Sequence, residues 1–125
     1  MPAVFVVAIV DDDQSVRLAT ESLVKSLGYT PILFASAEDF LQSAHASTAD
    51  CVITDIKMPG MTGADLQDAL LARGSAMPMI FMTAFPETRV RERVLAAGAI
   101  GFLDKPFSGT DIIQCLAKAL GPHPP

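Results

Sequence analysis

Val4-Phe5-Val6-Val7-Ala8-Ile9-Val10 runs without a polar residue into Asp11-Asp12-Asp13. A short valine-rich run, apolar at successive positions, fits a strand covered on both faces, and such strands belong to parallel sheets. The same form recurs. Pro31 to Phe34 reads as a second strand. Cys51 to Thr54 is a third and ends on Asp55, Met77 to Met82 a fourth with Pro78 near its start, and Ile100 to Leu103 a fifth. Helical spacing fills the intervals. Val16, Leu23, Val24 and Leu27 share one side before Gly28. Phe40, Leu41 and Ala44 follow a Ser36 N-cap with Asp39 three residues on. Leu66, Leu70 and Leu71 lie within a helix over Ala64 to Ala72. Val90, Val94, Leu95 and Ala97 precede Gly98, and Asp111 to Leu120 forms a last helix closed by Gly121. Strict alternation of strand and helix predicts an α/β fold: a five-stranded parallel sheet with helices on both faces, (β/α)5.

The composition agrees. The 125 residues are half hydrophobic and 18% charged, enough for one proper core and too apolar for disorder. A net charge of −5 argues against direct binding to nucleic acid. Cys51 and Cys115 stand among apolar neighbours in no Cys-x-x-Cys pattern, so two buried reduced thiols are expected, which suits the cytoplasm. Met1 to Val10 is short and lacks a basic lead, so no signal peptide is expected, and no apolar run approaches a membrane span.

In parallel sheets ligands bind at the carboxyl ends of the strands. Here those ends carry Asp11, Asp12 and Asp13, then Asp55, Thr83 and Lys105. Crowded carboxylates disfavour one another's ionised form, and a hard divalent cation such as Mg2+ removes that penalty while leaving room for a phosphoryl group. Asp55 is a suitable nucleophile, Lys105 a compact positive charge and Thr83 a hydroxyl donor. Singly, each has a plainer reading: Asp13 as a helix N-cap, Asp50 as the opening of the third strand, Thr83 as a turn residue, Lys105 as a solvated lysine. Together, four of five strand ends carry groups that suit one reaction.

These motifs resemble the receiver domains of two-component response regulators, over essentially Val4 to Leu120. Ile9-Val10-Asp11-Asp12-Asp13 is similar to the family's acidic pair, Asp55-Ile56-Lys57-Met58-Pro59-Gly60-Met61-Thr62-Gly63 to its phosphoacceptor and loop, and Met82-Thr83-Ala84 to its switch threonine. Gly98 to Phe107 is similar to its fifth strand and Lys-Pro-Phe turn, especially in the nitrogen-fixation branch, whose receivers usually precede a helix-turn-helix output domain. The resemblance implies a flavodoxin-like fold. It implies phosphoryl transfer from a sensor histidine kinase to Asp55, with Mg2+ held by Asp11, Asp12, Asp55 and the Lys57 backbone carbonyl. Thr83 and Lys105 would hold phosphoryl oxygens. A switch would run through Thr83 and Phe102, for which plain core packing is the other reading. Lys105 would precede a cis bond to Pro106. The protein would act as a phosphoacceptor rather than a turnover enzyme, in the cytoplasm, with a phosphorylation-dependent homodimer through residues 89–120.

Residues 1–121 are expected to form the receiver and 122–125 a tail or the start of a linker. Two other functions fit less well. A haloacid-dehalogenase-like phosphatase would use Asp11 of Asp11-x-Asp13-x-Ser15 as nucleophile, but its further acidic motif is missing; a pseudo-receiver would bind proteins without phosphorylation. Phe85 and Lys57, each two residues beyond a site residue, would overhang Asp55 and slow hydrolysis, unless Phe85 packs away under the following helix.

Overall fold

The computed structural model describes residues 5–105 and 107–121, and within them the apolar runs pair as one five-stranded, wholly parallel sheet. Val4, Pro106 with its expected cis bond, and the tail residues 122–125 lie outside the described residues. The strands are β1 (Val6–Val10), β2 (Thr30–Phe34), β3 (Cys51–Asp55), β4 (Met79–Thr83) and β5 (Gly101–Asp104), in the order β2-β1-β3-β4-β5. The helices are α1 (Gln14–Ser26), α2 (Ala37–Gln42), α3 (His45–Thr48), α4 (Gly63–Ala72), α5 (Thr88–Ala96) and α6 (Gly109–Leu120).

Alternation along the strands sorts the core into two. Val7, Ile9, Ile53, Ile80 and Met82 face α1 and α6, where Val24, Ile112 and Leu116 close over them. Ala8, Val10, Val52 and Phe81 face the other way, against Phe40 of α2, Leu66 and Leu70 of α4, and Val94 of α5. Strands covered on both sides have no use for polar alternation, which is why β1, β3 and β4 read as unbroken apolar runs.

Local chemistry sets the element ends. Asp13 caps α1 by accepting from the Ser15 and Val16 amides. Thr62 with Asp65 and Ser108 with Asp111 form reciprocal capping boxes, so α4 begins at Gly63 and α6 at Gly109, two residues before the expected Asp111. β4 begins at Met79 rather than Met77. Pro78 has no amide to give the ladder, although its carbonyl still accepts from Val52 at 3.0 Å. The single helix expected around Phe40 is two, because Ser43 turns extended (ψ 160°) and its hydroxyl bonds back to the Phe40 carbonyl. Asp50 does open β3: its amide donates to the Val6 carbonyl at 2.8 Å and its carboxylate accepts from the Val6 amide at 2.7 Å.

Of the two cysteines, Cys51 is fully buried and its thiol pushed up to about 12, mainly by burial. Cys115 is only partly buried, with its Sγ 2.5 Å from where a Cβ on Gly101 would stand. Both are free thiols. Among the described residues no helix is long and apolar enough to cross a membrane.

The tightest approach is at Gly63. Its amide donates to the Ile56 carbonyl at 2.9 Å, and a Cβ there would sit 2.3 Å from the Asp55 carbonyl oxygen. Because that neighbour is backbone, Gly63→Ala should destabilise by about 1–3 kcal/mol in urea unfolding. Gly109→Ala, whose Cβ would meet only Leu23 Cδ1 at 3.7 Å, should be neutral or slightly stabilising in the same assay.

Candidate functional site

Parallel strands of matched register bring β1, β3, β4 and β5 to an end at one edge. Val10 is level with Thr54, Asp55 with Met82, and Thr83 with Asp104. Asp11 follows β1 directly and has no exposed surface. Its Oδ1 accepts from the Asp13 amide at 2.9 Å, and its backbone carbonyl accepts from Arg17 Nη1 at 2.6 Å. Asp55 closes β3 with 6% exposure, and its Oδ1 accepts from the Lys57 amide at 3.3 Å. Lys105 joins the two: its Nζ donates to Asp11 Oδ2 at 2.9 Å and to Asp55 Oδ2 at 3.1 Å. The lysine reaches this point because its own amide is fixed to the Thr83 carbonyl at 2.7 Å.

Two carboxylates and one ammonium leave an imbalance. Burial raises the pKa of Asp55; Lys105 opposes that and the Asp11 charge adds to it, with the balance upward. For Lys105 burial acts downward, but its hydrogen bond to Asp11 and the charges of Asp11 and Asp55 outweigh it and hold the ammonium on. Asp11, Asp12 and Asp55 each offer a carboxylate oxygen, all within 4.8 Å of one another, with Asp12 the exposed member. That is a hard-oxygen donor set suited to Mg2+.

Beside the trio lies a cavity of about 230 Å3 lined by Asp12, Asp13, Asp55, Lys57, Thr83, Ala84, Phe85 and Lys105. Nearly all the residues singled out from the sequence therefore meet at one opening. Lys105 is not a solvated lysine; 14% of its side chain is exposed. Asp13 is the helix cap. Thr83 is buried with its hydroxyl accepting from the Phe85 amide at 3.0 Å, which is a turn role in this state. Phe85 does not pack under α5: it is 66% exposed, with its ring centroid 5.4 Å from Lys57 Nζ. Phe102 stands apart, half-buried on β5 opposite Phe81, against the α2–α5 side of the core.

Some contacts carried no sequence signal. Arg17 reaches Asp11 six residues away. Glu38 on α2 accepts from the Met61 amide at 3.4 Å and so steadies the loop after Asp55. Glu87 pairs with Lys57, Nζ to Oε1 3.0 Å.

The model of the response regulator receiver domain matches residues 7–117. The chain belongs to that family. Response regulator protein TodT of Pseudomonas putida is 36% identical over 115 residues, 92% of this chain and 51% of that protein. Transcriptional regulatory protein FixJ of Azorhizobium caulinodans is 35% identical over 121 residues, 97% and 57% of the two chains. The chain thus spans about half the length of the curated relatives it matches. Among solved structures, a response regulator receiver protein from Burkholderia phymatum is 40% identical with a TM-score of 0.82, covering 97% of this chain and 98% of that one. The crystal structure of FixJ-N is 31% identical with a TM-score of 0.83, covering 95% and 94%. The flavodoxin-like receiver fold is the one expected, and FixJ stands among the relatives of the branch that Gly98 to Phe107 suggested. The phosphatase reading loses its footing as well: Asp11, its nucleophile, has no exposed surface and does not line the cavity, whereas Asp55 does.

A carboxylate whose pKa is raised on folding costs stability in its charged form, a cost that grows as pH rises from the unfolded value to the folded one and is complete above it. Asp55→Asn removes that charge and leaves Lys105 with Asp11. The variant should melt about 2–8 °C higher than wild type at neutral pH without Mg2+, and the gain should shrink as pH is lowered. Differential scanning calorimetry across pH tests both.

Proposed function

We propose that the chain is the phosphoacceptor of a two-component system, taking a phosphoryl group from a sensor histidine kinase onto Asp55. The observation that carries this is the Lys105 bridge between two buried carboxylates, with Asp55 and Lys105 both opening onto one cavity. An Asp55 carboxylate oxygen attacks phosphorus in line. The new P–O bond forms as the P–N bond of phosphohistidine breaks, and the imidazole keeps the electron pair and later takes a proton from solvent. Lys105 turns from the Asp55 carboxylate to a phosphoryl oxygen. The Thr83 hydroxyl leaves the Phe85 amide and donates to another, and Phe102 turns inward behind it.

The donor set suits Mg2+: Asp11, Asp12 and Asp55 through carboxylate oxygens and Lys57 through its backbone carbonyl. When bound, the ion neutralises charge on the phosphoryl oxygens and the attacking carboxylate. Residues 1–121 serve as the receiver unit and 122–125 as tail or linker, acting in the cytoplasm without direct contact to nucleic acid. The output is a symmetric dimer through residues 89–120 that forms on phosphorylation. Arg91 and Asp111 line one groove there and supply both signs of charge for self-complementary pairing.

Incubation with phosphoramidate and Mg2+ should add one phosphoryl group by intact mass, and Asp55→Asn should abolish the gain. Full-rate labelling of Asp55→Asn, with a block in Asp11→Asn, would return the phosphatase reading. Millimolar Mg2+ should raise the melting temperature of the unphosphorylated protein, by about 2.7 kcal/mol of stability at a hundredfold excess over Kd, and clearly less in Asp12→Ala.

A further inference from the structure

Lys57 and Glu87 belong to different parts of the surface. Lys57 lines the cavity over Asp55. Glu87 lines a separate groove of about 580 Å3, with Pro86, Thr88, Arg91, Phe102, Asp104 and Asp111. Their ion pair, 3.0 Å from Nζ to Oε1, joins the two. Glu87 stands at the N-cap position of α5 but makes no side-chain cap there, so its carboxylate is committed to Lys57 rather than to the helix.

The pair is built to exchange. Both side chains are about half exposed, 52% and 54%, and ion pairs of that kind hold weakly. The face of Phe85 keeps the ammonium at the cavity mouth. A phosphoryl group on Asp55 would bring close to two negative charges within reach of Lys57, against the single charge of Glu87. Glu87 also has another cation available. Arg91 lies four residues on along α5, lines the same groove and has no ion pair among the described residues. A glutamate four residues before an arginine is the favourable order for a helix pair.

We propose that phosphorylation makes Lys57 trade Glu87 for the phosphoryl oxygens, and that the released Glu87 carboxylate pairs with Arg91, rewriting the charge pattern of the groove beside Phe102. This rests on Asp55 being the phosphoacceptor. It adds a second link from the site to that groove, through charge and not through Thr83.

The probe is beryllofluoride with Mg2+, titrated into 15N-labelled protein and followed by NMR at the Arg91 Nε–H and at the Asp55 backbone amide. In wild type both resonances should shift together. In Lys57→Ala and in Glu87→Ala the Asp55 amide should still shift while the Arg91 shift falls clearly below that of wild type, the remainder being what Thr83 and Phe102 pass to the same groove. Glu87→Ala should also tighten beryllofluoride about two- to fivefold by freeing Lys57, and should lose that effect in the Lys57→Ala background. An Arg91 shift undiminished in Lys57→Ala overturns the exchange, as does equal tightening in both backgrounds, which would mark a general charge effect. Loading of wild type without any Arg91 shift also overturns it and leaves the phosphoacceptor reading intact. Failure of wild type to load at the Asp55 amide, with no phosphoryl gain from phosphoramidate, overturns both.

Discussion

Everything at the carboxyl edge of this sheet depends on one ammonium group lying between two buried carboxylates. Asp11 and Asp55 are held almost without water, and their repulsion is met by Lys105 Nζ at 2.9 and 3.1 Å. Removing the ammonium would cost about 3–5 kcal/mol, because the carboxylates left behind would have neither solvent nor counterion, whereas removing one carboxylate leaves a matched pair. Such a cluster is a poor device for stability alone. It makes sense as a device for binding, since a cation or a phosphoryl group entering beside it meets charges already desolvated and already aimed.

The geometry follows from backbone more than from side chains. Parallel pairing in register sets the strand ends level, and the amide of Lys105 on the Thr83 carbonyl fixes where the lysine starts. On the other flank, Gly63 lets α4 begin directly against the Asp55–Ile56 backbone, where no side chain has room. The two faces of the sheet are filled by separate cores. Phe102 packs on the α2–α5 side, apart from the α1–α6 core.

The strands were legible because burial on both faces forces unbroken apolar runs, and the site was legible because topology turns four strand ends into one place. Asp11, Asp55, Thr83 and Lys105 could be grouped before any coordinate was known. The break between α2 and α3 could not be read, since Ser43 is neither glycine nor proline and ends the helix only through its own hydroxyl. Lys105 looked like any solvated lysine when taken singly; its burial comes from the position of β5, a tertiary fact. The direction of Phe85 was open for the same reason, and Glu87 gave no signal because its partner lies on another loop thirty residues away in sequence.

The loop from Ile56 to Thr62 is tied along its length: the Ile56 amide to the Met82 carbonyl, the Lys57 amide to Asp55, the Met61 amide to Glu38, and the Gly63 amide back to Ile56. A segment anchored so often behaves as a gauge of fixed length. Side chains along it can be exchanged to alter what lines the opening, but an inserted or deleted residue would break an anchor and carry Lys57 away from it. Variation at this opening is therefore confined to chemistry at set positions, and an engineer who wishes to retune it should substitute within this loop and never resize it.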